Sequence, residues 1–245
     1  MRKMLVAAGG ILAVAAVFVV IITHRASATP PRLPEDATPG RLLVGFQDDP
    51  TLRWARDRML MLAKARKVGS TVIRTTVDWS QAAPRRPARP ADAFDPVYRL
   101  DDVDELARNA QRLGVELLIS IWGTPGWANG GEKPNHAPSD PHDLEEFAHA
   151  LADRYSGRHA GYPSVRLFSV WNEPNHPDFL MPQYTKKGAD AAPAAYVALL
   201  ARCWDVLHAY RPGIDVVGPA TSPRGNDNPH ALSNISHSPV RFIVA

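Results

Sequence analysis

From Arg41 onward the chain alternates short, continuous apolar runs with longer stretches whose apolar residues recur at helical spacing. Strands are predicted near 41–46, 71–77, 115–121, 165–171 and 214–219. Leu60, Leu62 and Ala63 mark a helix after the first run, closing near Gly69. Val103, Leu106, Ala107, Ala110 and Leu113 share one face of the next, with Asp101 or Asp102 as its cap and Gly114 at its end. Leu144, Phe147, Leu151 and Tyr155 predict a third helix, opened by Ser139 or Asp140. Tyr196, Leu199, Leu200, Cys203, Trp204 and Leu207 predict a fourth, stopped by Pro212-Gly213. A strict strand-then-helix order without hairpins implies α/β architecture, with parallel strands joined by right-handed crossovers.

The fourth run, Val165 to Trp171, leads into Asn172-Glu173-Pro174-Asn175. Pro174 has no N–H for a sheet ladder, so the strand ends before it. Glu173 is thereby placed at the carboxyl end of a buried strand, where α/β sheets bind ligands. A carboxylate there is costly unless partnered. The bland account of Glu173 is a pair with a nearby arginine, or a cap for the following turn.

Composition adds export. Met1-Arg2-Lys3-Met4 is a basic start, Leu5 to Ile22 is apolar, and Ala26-Ser27-Ala28 offers a small-x-small cleavage site. Residues 1–28 are therefore expected to be a signal peptide, or an N-terminal membrane anchor through residues 5–22. Residues 29–40 read as a proline-rich linker and 41–245 as the globular part, secreted or held at the cell envelope. A net charge of +3 makes no case for nucleic acid, and the basic cluster at Arg85, Arg86 and Arg89 is broken by prolines and reads as a solvated loop. Cys203 is the one cysteine and falls on an apolar helix face, which predicts a core thiol. His136, His142 and His176 lack metal-ligand spacing, and no cofactor fingerprint appears. Oligomeric state is not legible.

The string Trp171-Asn172-Glu173-Pro174 resembles the strand-4 signature of the retaining glycoside hydrolases of clan GH-A, closest to bacterial members of families 39 and 5. The resemblance covers about Arg41 to Arg241. It implies a (β/α)8 TIM barrel, an oligo- or polysaccharide substrate, no cofactor and no metal. It also implies that Glu173 is the general acid/base and that Asn172 is the amide that hydrogen-bonds the sugar 2-hydroxyl. Arg74 matches a strand-2 arginine near the nucleophile; it could equally close an ion pair inside the barrel. Trp79, Trp122, Trp127 and Trp171 cluster at or after strand ends. Sugar C–H faces stack on aromatic rings, so Trp122 or Trp171 is expected to be a platform ahead of Trp79 or Trp127; the bland account is that two or more of the four are core.

A closed barrel needs eight units and roughly 250 residues. Five strands are complete by Pro219, so only about the first five units are expected and the chain reads as C-terminally truncated. Glu173 is the last glutamate in the sequence. The resemblance implies a second glutamate, a nucleophile on strand 7, which has no counterpart here. Later aspartates are Asp178, Asp190, Asp205, Asp215 and Asp227; Asp205 and Asp215 fall at the wrong end of the sheet, and Asp227 lies in the loop after strand 5, where nothing marks it as a nucleophile. Two readings follow: an exported retaining glycosidase whose chain alone is inactive, or a catalytically inactive, tethered or secreted remnant that binds carbohydrate.

Overall fold

The computed structural model describes residues 42–245 apart from Pro212. The expected export segment and linker lie outside the described residues. Leu43–Ala245 form one compact unit. No helix among the described residues is long and apolar enough to cross a membrane.

Five strands form one parallel sheet in sequence order, β1 (Gly45–Gln47), β2 (Val72–Asp78), β3 (Glu116–Trp122), β4 (Leu167–Val170) and β5 (Asp215–Val217). A π-helical turn (Pro50–Trp54) and α1 (Arg58–Lys67) follow β1. A short α2 (Trp79–Ala82) and then α3 (Asp101–Leu113) join β2 to β3. The remaining helices are α4 (Pro141–Arg154), α5 (Ala192–Tyr210) and α6 (Pro239–Val244). This is the expected partial barrel: five consecutive β/α units with parallel strands.

Alternation along each strand sets the two faces of the sheet. Ile73, Thr75 and Val77 of β2 are buried, while Arg74, Thr76 and Asp78 between them are half-buried on the opposite face. Ile119, Ile121, Phe168 and Val170 join Leu106, Leu144, Phe147 and Leu151 in one core between sheet and helices. Arg154 fixes α4 to α3 within it: its Nε and Nη2 donate to the Asp104 carboxylate at 2.8 and 2.6 Å, and both side chains are buried.

The helix ends follow local chemistry. Asp140 caps α4 by accepting the His142 N–H at 2.9 Å, and Gly114 closes α3 in the left-handed conformation, φ +63°. Asp101 and Asp102 lie inside the first turn of α3, and Leu100 holds the cap position. β1 is three residues long, shorter than the predicted 41–46, and exposed at a sheet edge, with one strand partner among the described residues. Two further expectations need correction. Leu60 is 54 % exposed and Trp204 47 % exposed, so the buried stripes of α1 and α5 run through Leu62 and Ala65, and through Tyr196, Leu199, Cys203 and Leu207. Arg86 of the basic loop is held in place: it forks onto Asp143 at 2.7 and 2.9 Å and lies over the Trp127 ring at 4.4 Å.

Candidate active site

The site is built where β4 stops. Trp171 N–H still donates to the Ile121 carbonyl at 2.8 Å, one step past the last strand residue. Its φ is then +67°, and Glu173 has φ +38°. A positive φ is uncommon for non-glycine residues and is held only where surrounding contacts over-determine it. The turn re-aims three side chains in succession. Glu173 N–H donates to the Ala220 carbonyl at 2.9 Å, tying the end of β4 to the loop after β5.

Arg74, on the face of β2 turned from the helices, reaches across the sheet. Its Nε donates to Ser120 Oγ at 2.7 Å and its Nη2 to Asn172 Oδ1 at 2.6 Å. Burial lowers the pKa of the guanidinium, and the negative charges of Glu173 and Asp49 oppose that effect, so the group stays a cation beside a carboxylate. The pairing also orients Asn172. With Oδ1 facing a cation, the Nδ2 hydrogens are the amide's free donors, suited to a ligand hydroxyl. Asp49 is anchored at the end of β1, where its carboxylate accepts from the Thr76 N–H at 3.1 Å and from Thr75 Oγ1.

The tryptophans divide sharply. Trp122 is half-buried and lines a 520 Å³ cleft at the ends of β1–β3, with Asp49, Trp54, Asp78 and Arg99 among its walls. Trp171 is fully buried, with no ring face open to a sugar, so the expectation of a platform there is corrected. Its indole donates to the Phe179 carbonyl at 2.8 Å. Trp79 is also buried, stacked on Phe147 at 5.7 Å with Trp127 edge-on at 5.4 Å. Glu173 stands outside the lining of the Trp122 cleft, and Arg74 relates the two regions through the charges of Glu173 and Asp49.

Two further residues brace this end of the sheet and carried no sequence signal. Asn175 and His237 are fully buried and bonded to each other's backbone. Asp227 turns to structural use: its Oδ1 accepts the Ser238 N–H at 2.6 Å, at the start of α6. Among the described residues, no group of three His, Cys, Asp or Glu side chains is placed to hold a metal ion.

No protein-family model and no curated protein matches the chain. Solved structures do match. A glucosidase from Croceicoccus marinus aligns with a TM-score of 0.52 at 15 % identity, over 72 % of this chain and 36 % of that one. A monomeric beta-xylosidase from Caulobacter crescentus gives 0.48 at 21 % identity, over 74 % and 36 %. A family 39 glycoside hydrolase from Bacteroides cellulosilyticus gives 0.46 at 18 %, over 72 % and 31 %. The chain spans about a third of the length of these structures. At such identities the likeness is one of fold alone, here five consecutive β/α units with parallel strands.

Proposed function

We propose that this chain carries the acid/base half of a retaining glycoside hydrolase site. The observation behind the reading is the Arg74–Asn172 bond, which orients an amide donor next to Glu173 at the carboxyl end of β4. In this reading Glu173 protonates the glycosidic oxygen as the bond to the anomeric carbon breaks, and later takes a proton from water. Asn172 Nδ2 holds the sugar 2-hydroxyl, and Trp122 offers a half-buried ring to a sugar face. A retaining mechanism also needs a carboxylate about 5–5.5 Å from the acid.

The second reading is carbohydrate binding without hydrolysis. It is favoured by the half-buried Trp122 ring, which lines a 520 Å³ cleft whose walls do not include Glu173. Azide separates the two, because a small anion can take the place of a nucleophilic carboxylate. It attacks the anomeric carbon of an aryl glycoside, the phenol leaves with the proton from Glu173, and a glycosyl azide forms. The purified chain is offered aryl glycosides of several sugars, with and without azide, beside a Glu173→Gln control. The expected result is no hydrolysis above the control and Glu173-dependent glycosyl azide formation. Calorimetric sugar binding without azide product supports the second reading, and neither binding nor product overturns both.

Export is proposed on the sequence of residues 1–28. Its test is the N-terminus of the protein recovered outside the cytoplasm: cleavage after Ala28 supports a signal peptide, and an intact Met1 in the membrane fraction supports the anchor.

A further inference from the structure

Asn175 lies two residues past Glu173 and exposes none of its surface. Its Nδ2 donates to the carbonyls of Ser222 and His237 at 3.0 and 2.8 Å, and its Oδ1 accepts the Ser222 N–H at 2.7 Å. Its own carbonyl accepts the His237 N–H at 3.0 Å. Every polar atom of the side chain is used, and every partner is backbone. A surface turn does not need such a device.

His237, also fully buried, extends the connection. Its Nδ1 lies 2.8 Å from Gln183 Oε1, and Gln183 Nε2 donates back to the Pro174 carbonyl at 2.9 Å. The hydrogen bonds thus close a ring through Pro174, Asn175, His237 and Gln183. The outer side of His237 is stacked on Tyr184 at 4.2 Å, and its Nε2 meets Asp190 Oδ1 at 2.9 Å. The ring grips the chain just after the two left-handed residues, Trp171 and Glu173. On the near side, the Trp171 indole donates to the Phe179 carbonyl at 2.8 Å. A backbone of this shape persists only when it is held from both sides.

We infer that Asn175 is a positioning residue for Glu173: its amide locks the loops after β4 and β5 together and so fixes where the Glu173 carboxylate points. The inference rests on the reading of Glu173 as the acid, but its test does not need activity. The full chain is labelled for NMR, and two signals of Glu173 are followed: exchange of its amide, which is bonded to Ala220, and its side-chain carboxyl carbon. Asn175→Ala is expected to speed that exchange at least tenfold and to move the carboxyl signal, while amides in β3 keep their protection. Asn175→Asp should do more damage, since a carboxylate would face two carbonyl oxygens. Asn175→Ser, a milder change, keeps the test open if the others fail to fold.

Two controls separate positioning from mere support. Ser222→Ala should change nothing, because Asn175 uses only the backbone of Ser222. Leu144→Ala, a core truncation remote from the loops, should lower the melting temperature yet leave both Glu173 signals in place. Unchanged Glu173 signals in all folded Asn175 variants would overturn the inference, as would equal changes in Leu144→Ala. A failure of the azide reaction with these signals behaving as expected would count against the catalytic reading alone.

Discussion

Arg74 and Asn172, ninety-eight positions apart in sequence, are joined by a 2.6 Å hydrogen bond across two strands of the sheet. The bond converts a half-buried cation and a neutral amide into one rigid donor surface. Charge-assisted bonds of this kind contribute roughly 1.5–3 kcal/mol, and leaving a buried partner unsatisfied costs a similar amount. Arg74→Met is therefore expected to lower unfolding stability by about 2 kcal/mol, read by urea denaturation. Arg74→Lys should recover only part, because one ammonium cannot reproduce the fork that spans Ser120 and Asn172. Equal stability of the lysine variant and the parent would show that the fork geometry is irrelevant.

The two strand-end indoles at Trp122 and Trp171 donate to one acceptor, the Phe179 carbonyl, at 3.0 and 2.8 Å. Their exposures differ, and so should their variants. Trp171→Ala empties a fully buried site and should cost about 3–5 kcal/mol, the usual range for a large core aromatic. Trp122→Ala should cost less stability but lose sugar binding measured by calorimetry. A Trp122 variant that binds sugar like the parent would remove Trp122 from the proposed platform.

Much of this arrangement is legible in the sequence, and the exceptions have physical causes. β/α alternation is written in apolar runs, so all five strands fall where expected to within a few residues. The sequence places Glu173 and Asn172 just past the end of β4, and the strand does stop at Val170; Arg74 lies inside β2, and its reach to Asn172 across β3 is a product of the fold. Trp171 differs from expectation because the backbone turns left-handed there and its indole is bonded to the Phe179 carbonyl, neither of which is readable from residue type. Trp204 misled because it flanks the buried stripe of a 19-residue helix, where neighbouring positions differ by half a turn or less in angle. Asn175 and His237 were silent because their bond joins two loops 62 residues apart, a proximity that only the folded sheet creates.

Acid stability should depend on Asp102. Burial works to raise its pKa, but hydrogen bonds from Arg53 and Trp54 and the charge of Arg53 outweigh it and hold the carboxyl below its ordinary value. A depressed folded pKa contributes stability that is complete above the unfolded value, near 3.9, and is lost as pH falls through the folded value. Asp102 is nearly half exposed, so the contribution after screening is about 1 kcal/mol. Asp102→Asn should therefore be less stable at pH 7, with the gap to the parent narrowing below about pH 4. A constant gap between pH 7 and pH 2.5 would assign the loss to packing instead.

Cys203 is buried completely in α5, and burial, with the nearby Glu145 charge adding to it, pushes the thiol well above its ordinary pKa. The thiolate is the reactive form, so a disulfide reagent at pH 8 should label Cys203 only as fast as the chain unfolds. Labelling should become immediate in guanidinium chloride. Rapid native labelling would place the thiol at an accessible surface and contradict the packing of Tyr196, Leu199 and Leu207 around the same helix stripe.

The last expectation concerns the sheet edges. Among the described residues, β1 and β5 each have a strand partner on one side only. Parallel sheets are ordinarily covered, and an open apolar edge is a template for another chain. Val44 and Phe46 are 57 % and 51 % exposed at one edge, and Val217, on β5, is 44 % exposed at the other. The two edges are complementary as parallel partners, so association can run from β5 of one copy to β1 of the next without a symmetry that halts it. Concentration-dependent growth in light scattering is expected for the chain alone. A lysine at Phe46 or Val217 places a charge at one end of each junction, and each 1.4 kcal/mol so removed weakens association tenfold. Either single variant should suppress growth, because every junction uses one β1 and one β5, and the double, with two charges at each junction, should suppress it further. Growth that neither substitution reduces, or a monodisperse monomer at high concentration for the parent, would show that the edges do not meet in this way.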